Sequence, residues 1–245
     1  MSTIAYIQAR LGSTRLPGKV LLEANGITIL HHMIKRVKLS KLVDEIVIIT
    51  TSQVKDDRII EFCNDHNILT FRGSENDVLD RYKKANDEFK ASTIVRLTSD
   101  CPLIDPEVID NCIKIFQEND FDYVSNTTPP DQRNYPDGSD VEVFSNEVLQ
   151  KAWKEESSKS RREHVTFQFY EEINSYKHFL LKNTLDWKKY RLTLDFPEDY
   201  ELILLIIKHF NMPANQPSLA EIISFLDNHP EAFKLNSNYY HGMNW

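Results

Sequence analysis

The sequence predicts an α/β fold with a mostly parallel central sheet, and two observations carry this prediction. Short, continuous apolar runs recur along the chain, as expected of strands that are covered on both faces in a parallel sheet. Segments with a helical spacing of apolar residues separate these runs, and such alternation is typical of α/β folds. A length of 245 residues fits one domain, residues 1–245.

The order of the elements follows from these patterns. The predicted strands are residues 2–9, 46–51, 69–72, 93–98, 122–125, 141–144 and 191–195. The predicted helices are residues 29–37, 56–63, 78–89, 106–116, 147–153, 164–170, 200–210 and 218–228. Helix starts are marked by the acidic pair Asp56 and Asp57, by Pro197 followed by two acids, and by Ser218 as an N-cap.

One long segment departs from this alternation. Residues 126–138 are rich in Asn, Pro and Asp and end in Gly138, a composition that is typical of loops. We therefore expect these residues to form a loop or the turn of an excursion, not a core element.

Composition and charge exclude several classes of function. Hydrophobic residues make up 41% and charged residues 27% of the chain, as in ordinary globular proteins. The net charge of −8 argues against a nucleic-acid partner, which would need a basic face. No apolar stretch approaches the roughly 20 residues that span a bilayer. The N-terminus does not match a signal peptide, so we expect a cytoplasmic protein without a membrane partner.

The three cysteines, Cys63, Cys101 and Cys112, have no CxxC spacing. They predict neither a disulfide framework nor a zinc site, and each is expected to be a small buried residue.

The candidate chemistry lies at the carboxyl ends of the predicted strands, where ligands bind in parallel α/β sheets. The first strand is followed by Arg10, Ser13, Arg15 and Lys19, in a loop that contains Gly12 and Gly18. Two other strands are followed by Asp100 and Asp195. Glycines let the backbone approach a ligand, and cations bind phosphates. Two carboxylates on separate strands can hold Mg²⁺, so the set predicts a site for a polyphosphate–metal complex.

Simpler interpretations of the same residues stay open. The basic loop could be a solvated turn with surface ion pairs. Asp100 and Asp195 could each cap a turn or helix, and His164 could be a packed or surface histidine. No GxxxxGK[ST] or GxGxxG motif is present to suggest another nucleotide fold.

Residues 7–21 (IQARLGSTRLPGKVL) closely resemble the opening motif of the sugar-acid cytidylyltransferases, and most of all their spore-coat polysaccharide SpsF-type branch. Further segments resemble the family in the same order, and the likeness runs from residue 4 to about residue 207. They are residues 72–81 (RGSENDVLDR), 96–104 (RLTSDCPLI), 137–144 (DGSDVEVF), 162–166 (REHVT) and 192–201 (LTLDFPEDYE). The 3-deoxy-manno-octulosonate enzymes of the family differ in having Gly at the position of Ser99, and another segment around His164.

The resemblance implies a GT-A-like, Rossmann-related nucleotidyltransferase fold. It implies CTP bound across the first loop and residues 72–81, with Mg²⁺ held by Asp100 and Asp195. It also implies a homodimer joined through the excursion at residues 126–160.

The function that this resemblance implies is transfer of CMP from CTP to an acidic sugar or related anionic acceptor, in surface polysaccharide or glycoconjugate biosynthesis. The expected catalytic residues are Arg15, Lys19 and Asp100. The expected nucleotide-binding residues are Arg10, Gly12, Ser13, Arg15, Lys19, Gly73, Ser74, Arg81 and Ser99. The expected acceptor-binding residues are Asp140, Glu142, Arg162 and His164.

Two other functions remain as alternatives. A GT-A glycosyltransferase would use a sugar nucleotide and usually carries an Asp-x-Asp motif, which the segment Asp100-Cys101-Pro102 does not match. A non-catalytic nucleotide-binding subunit of a polysaccharide assembly complex is the second alternative. Retention of both carboxylates and of the basic positions argues against it.

Overall fold

A computed structural model describes residues 2–171 and 176–239 of the chain. Its strands are β1 (Thr3–Gln8), β2 (Glu23–Ala24), β3 (Ile27–Thr28), β4 (Glu45–Thr51), β5 (Leu69–Gly73), β6 (Thr93–Thr98), β7 (Tyr123–Ser125), β8 (Glu142–Ser145) and β9 (His178–Leu180). Its α-helices are α1 (Ile29–Val37), α2 (Asp57–Asp65), α3 (Val78–Phe89), α4 (Pro106–Glu118), α5 (Asn146–Glu155), α6 (Lys159–His164), α7 (Phe167–Glu171), α8 (Pro197–His209), α9 (Leu219–Asn228) and α10 (Pro230–Lys234).

The central sheet confirms the predicted fold class. Within the described residues, seven strands pair in the order β5-β4-β1-β6-β8-β7-β9. All pairs are parallel except those of β8, which is antiparallel to β6 and to β7. Because β1 and β6 are parallel neighbours, with Gln8 opposite Thr98, the loops that follow them leave the same edge of the sheet.

Two apolar cores cover the two faces of the sheet. On one face, Ile7, Val95 and Leu97 pack with residues of α1, α4, α8 and α9. On the other face, Tyr6 and Ile94 pack with residues of α3, α5 and α7. Burial on both faces explains why the strands are continuous apolar runs.

The three cysteines are buried and free, as predicted from the sequence. None of the helices within the described ranges is both long and apolar enough to cross a membrane.

The structure departs from the predicted elements at two places. Residues 191–195 form one bridge, between Asp137 and Arg191, instead of a strand. The segment is extended, but among the described residues it does not pair with a neighbouring strand. The backbone amides of Leu192 and Leu194 donate instead to the carbonyl oxygens of Asp137 and Asp100, which lie in loops. The predicted helix 164–170 is divided between α6 and α7, because Val165 between them has φ 63°, outside the helical region.

The predicted excursion at 126–160 is partly integrated into the fold. Its residues 142–155 form β8 and α5, and β8 lies inside the central sheet. Gly138 in the remaining loop has φ +91°, and a Cβ there would lie 2.2 Å from the backbone nitrogen of Thr193. Only glycine allows this contact, so the loop packs directly on the segment that leads to Asp195.

Candidate active site

Lys19 lies where the loop after β1 returns to the sheet. The residue before it, Gly18, has a left-handed backbone with φ 69°, and Lys19 then begins a short 3₁₀ turn, Lys19–Leu21. Its Nζ donates to Asp100 Oδ2 at 3.2 Å, to Asp195 Oδ1 at 2.9 Å and to the carbonyl oxygen of Leu194 at 2.7 Å. Only 11% of this side chain is exposed. One buried ammonium therefore joins the ends of two segments that are distant in sequence.

The opposite charges of Lys19 and of the Asp100 and Asp195 carboxylates stabilise one another. Burial alone would lower the pKa of Lys19, but the carboxylates of Asp100 and Asp195 outweigh it and raise that pKa. Burial likewise opposes the charge of Asp100, but the Lys19 ammonium holds the pKa of this carboxyl below its ordinary value. Both groups are therefore charged at neutral pH.

Asp195 is held from two sides. Its Oδ1 accepts from Lys19 and, at 3.0 Å, from Arg15. Its Oδ2 accepts from Arg191 at 3.1 Å. Asp195 is not the N-cap of α8, because Phe196 occupies that position. The backbone amides of Asp195 and Phe196 both donate to the Asp199 carboxylate.

Behind Asp195 lies a buried ion cluster that sequence reasoning missed. Arg191 Nη1 donates to Asp137 at 2.7 Å, and its Nε donates to Asp199 at 2.9 Å. Asn236 donates to the same Asp199 carboxylate and to the carbonyl of Arg191. Burial would lower the pKa of Arg191, but these carboxylates raise it. The cluster fixes the carboxylate plane of Asp195.

Replacement of Arg191 by methionine is expected to lower the free energy of unfolding by about 3–5 kcal/mol, because buried carboxylates lose their counterion. Denaturation by urea measures this loss. The control is Lys188→Met, since Lys188 is exposed and pairs only with Asp186 among the described ion pairs. We expect the control to change stability by less than about 0.5 kcal/mol. Equal stabilities of the two variants would contradict a structural role for the cluster.

A cavity of about 360 Å³ opens beside these residues. It is lined by the strand ends, the basic loop, α3 and α6. The lining residues are Gln8, Ala9, Arg10, Gly12, Ser13, Thr14, Arg15, Lys19, Val78, Arg81, Arg96, Thr98, Ser99, Asp100, Glu163, His164 and Asp195. The structure thus brings together most of the residues that the sequence places in the nucleotide site.

Arg81 is the cavity residue with the clearest need for a ligand. The residue is 3% exposed, and its Nε and Nη1 are buried without a hydrogen-bond partner in the described structure. Burial lowers its pKa. Because an unpaired buried guanidinium is unfavourable, an anion in the cavity would compensate it.

Gly73 and Ser74 lie behind the cavity lining instead of on it. A Cβ on Gly73 would approach the Arg81 side chain to 2.9 Å, so the glycine leaves room for that side chain. The Ser74 hydroxyl accepts from the amide of Asp77, which caps α3. Both residues hold the start of the helix that presents Arg81, and a direct contact with nucleotide stays a prediction.

The four residues predicted to bind the acceptor are not placed together. His164 lines the cavity, with its ring stacked 4.1 Å from that of Phe167. Arg162 turns away to Asp77 and to the carbonyls of Trp153 and Glu156. Asp140 accepts from Thr127 and from the amide of Gly138. Glu142 is buried within the sheet.

The two site carboxylates fit a hard divalent cation. They approach the same ammonium group from separate segments, and carboxylate oxygens are the ligands that Mg²⁺ prefers. No group of three or more possible metal ligands occurs in the described part of the chain. Mg²⁺ keeps several waters and substrate phosphates as ligands, so two carboxylates from the protein suffice.

Arg96 is a further cavity residue that sequence reasoning missed. It is the one cation inside the strongly apolar strand β6, and it lines the cavity beside Thr98. A charged residue in a strand that is buried on both faces was the available signal, because such a charge needs a partner or a ligand.

Comparisons with known proteins match the chain to one family along most of its length. A family model described as Cytidylyltransferase matches residues 4–225. The spore coat polysaccharide biosynthesis protein SpsF of Bacillus subtilis (strain 168) is 34% identical over 244 residues, which cover 95% of this chain and 97% of SpsF. The structure of a cytidylyltransferase from Leptospira borgpetersenii serovar Hardjo-bovis (strain JB197) has a TM-score of 0.91 and 35% identity, over 98% of this chain and 100% of that one.

A more distant structural likeness shows the shared fold. The structure of CMP:2-keto-3-deoxy-manno-octonic acid synthetase complexed with CTP has a TM-score of 0.64 and 17% identity, over 85% of this chain and 99% of that chain. The Rossmann-like nucleotidyltransferase fold expected from the sequence is confirmed.

Proposed function

Because the chain belongs to the cytidylyltransferase family, we propose that it transfers CMP from CTP to an anionic, sugar-type acceptor and releases pyrophosphate. The observation that carries this proposal is the contact of one buried lysine with two carboxylates at the edge of a cation-lined cavity. The arrangement offers positive charge for a triphosphate and carboxylate oxygens for its metal.

Different residues of the site have different roles in the proposed reaction. In the reaction, an acceptor hydroxyl oxygen attacks the α-phosphorus and its proton passes to water. The bond from this phosphorus to the oxygen that bridges it to the β-phosphorus breaks, and pyrophosphate leaves. Arg15 and Lys19 hold the phosphates and offset the charge that builds on the leaving pyrophosphate. Arg10 and Arg81 complete the cationic wall around the nucleotide, and Ser13 adds a hydroxyl as a hydrogen-bonding group.

Asp100 and Asp195 would hold Mg²⁺. When bound, the ion neutralises phosphate charge and lowers the pKa of a hydroxyl that it contacts. Lys19 keeps both carboxylates oriented towards one point, and Arg191 fixes the far side of Asp195.

We extend the proposal to pathway and assembly. The name of the SpsF relative supports a place in polysaccharide biosynthesis. We further propose that the product is a surface polysaccharide or glycoconjugate and that the chain acts in the cytoplasm. The single domain, residues 1–245, would form a homodimer through those residues of the segment 126–160 that lie outside the central sheet. Light scattering of the purified chain tests the dimer, and a monomer at working concentrations would refute it.

A thermal-shift experiment tests nucleotide choice. With Mg²⁺ present, CTP at about 100 times its Kd should stabilise the fold by about 2.7 kcal/mol. For a chain of this size that corresponds to a rise in the melting midpoint of about 5–10 °C. ATP, GTP and UTP are the matched controls and should each give a much smaller rise. An equal response to all four nucleotides would contradict a cytidylyltransferase.

Detection of pyrophosphate separates the proposal from the two alternatives. A GT-A glycosyltransferase releases a nucleoside diphosphate from a sugar nucleotide, and a binding subunit releases nothing. Mass spectrometry of the same reaction should show a CMP-linked product.

A further inference from the structure

Arg96 lines the same cavity as the paired carboxylates, from a position within β6. Ile94, Arg96 and Thr98 share one face of β6, because side chains alternate along a strand. The Arg96 side chain is 13% exposed and lines the cavity. With a rise of about 3.3 Å per residue, Arg96 lies about 7 Å before Thr98, where β6 ends and the chain turns towards Asp100.

A buried carboxylate holds Arg96 in place. Arg96 and Glu142 are opposite each other in the pairing of β6 with β8, and their side chains form an ion pair. Glu142 also accepts from the hydroxyls of Tyr123 and Thr166. The Glu142 carboxylate accepts from three donors, and only 5% of its side chain is exposed. Glu142 therefore holds Arg96 in position and does not contact a ligand itself.

The guanidinium of Arg96 is not satisfied by this anchor alone. Its Nε is buried and has no hydrogen-bond partner within the described residues. Buried donors are normally paired in native proteins, so this orphaned donor indicates that an acceptor group is missing from the site.

The contacts of Arg96 differ from those of the basic loop. Its guanidinium pairs with Glu142 on β8 and lies 6.0 Å from the centre of the Tyr82 ring on α3. Its charge also acts on His164, the cavity residue at the end of α6. The basic loop and Arg81 supply enough positive charge for a triphosphate, which leaves Arg96 for the second substrate.

The charge balance at the end of the cavity formed by Arg96 and His164 disfavours a dianion. Glu142 already offsets the charge of Arg96, and Glu163 also lines the cavity. Burial lowers the pKa of His164, although Glu163 and Glu171 oppose the shift, so the ring is uncharged at neutral pH. A planar carboxylate matches one guanidinium fork, whereas a phosphate dianion would need more positive charge than this end provides.

We propose that Arg96 is the specificity-determining residue for the acceptor, that it binds an acceptor carboxylate, and that Glu142 is its positioning residue. This inference rests on the proposed function and deepens it. It transfers to Arg96 the role that the sequence suggested for Arg162, whose guanidinium is occupied elsewhere.

The test measures pyrophosphate release from CTP with a panel of acceptors. The panel contains 3-deoxy-manno-octulosonate and N-acylneuraminate, the methyl ester of each acid, and glycerol 3-phosphate. The wild-type chain should use a free acid at least about 10-fold better than its ester, because the neutral ester loses a charge-assisted hydrogen bond. It should also use the free acid at least about 10-fold better than the phosphate, because the single, partly offset charge of Arg96 does not balance a dianion. Arg96→Met should raise KM for that acid about 10-fold or more and change KM for CTP by less than about twofold.

Further variants separate positioning from binding. Glu142→Gln should also raise the KM for the acid, and the double variant should be no worse than Arg96→Met alone, because both remove one interaction. Arg96→Lys keeps a cation beside Glu142 but loses the planar fork, so it should fold and still raise that KM. Arg161→Met is the matched control, since Arg161 lies on α6 and pairs with Glu156 and Glu171 outside the cavity.

Three results would overturn the inference. These are equal use of the ester or phosphate by the wild-type chain, a KM for CTP that rises in Arg96→Met, and a CTP-dependent thermal shift that disappears in that variant. The last two would assign Arg96 to the nucleotide. Failure of the proposed function would be visible separately, as a wild-type melting midpoint that does not respond to CTP. That result would contradict both the proposed function and the inference about Arg96.

Discussion

Replacement of Lys19 by alanine is expected to reduce turnover at least about 100-fold, because one preorganised charge donor in an active site is typically worth that much. Lys19 is the group that contacts both site carboxylates, so its loss removes a phosphate-binding charge and leaves two acids facing each other. Pyrophosphate release under saturating CTP measures the effect.

The control for this variant is Lys83→Ala. Lys83 is partly buried and pairs with Asp87 on α3, away from the cavity lining. Circular dichroism of both variants verifies that they fold. If Lys19→Ala kept turnover near that of the wild type, Lys19 would have to be removed from the catalytic residues.

The second large effect is expected for the two site carboxylates. Asp100→Asn and Asp195→Asn should each fold, since asparagine keeps the shape of the side chain, and each should lose at least about 100-fold in metal-dependent turnover. An amide is neutral and a poorer ligand for a hard cation than a carboxylate. Titration with Mg²⁺ in the presence of CTP should show a higher metal requirement.

An exposed aspartate provides the comparison for these variants. Asp186→Asn alters a surface residue that pairs with Lys188, and its metal requirement should equal that of the wild type. Normal turnover of Asp100→Asn or Asp195→Asn at the wild-type Mg²⁺ concentration would show that the carboxylate in question does not hold the metal.

The sequence was sufficient for the strand ends because local patterns determine them. The apolar runs predict β1 and β6, and the polar residues that follow them, including Lys19 and Asp100, necessarily emerge at one edge of a parallel sheet. Asp195 was predicted from an assumed strand, although the structure has an extended segment there. Its position depends on loop carbonyls instead of a strand partner, which no local pattern shows.

Long-range pairing explains what sequence reasoning missed. The Arg96–Glu142 pair follows from the antiparallel insertion of β8 between β6 and β7, and the spacing of these residues does not predict that order. The cluster around Arg191 likewise joins residues from the excursion, α8 and the segment after α10. Arg162 and His164 share a motif but point to different places, because residues two positions apart on a helix do not share a face.

The distances in sequence across the Lys19 contacts have a consequence for synthesis of the protein. Lys19 meets Asp100 at a separation of 81 residues and Asp195 at a separation of 176. A nascent chain that has left the ribosome only as far as α7 carries the basic loop and the first carboxylate but lacks the second, together with Arg191, Asp199 and Asn236. Catalytic competence therefore arises late in translation, and the onset of pyrophosphate release would report when the last quarter of the polypeptide docks.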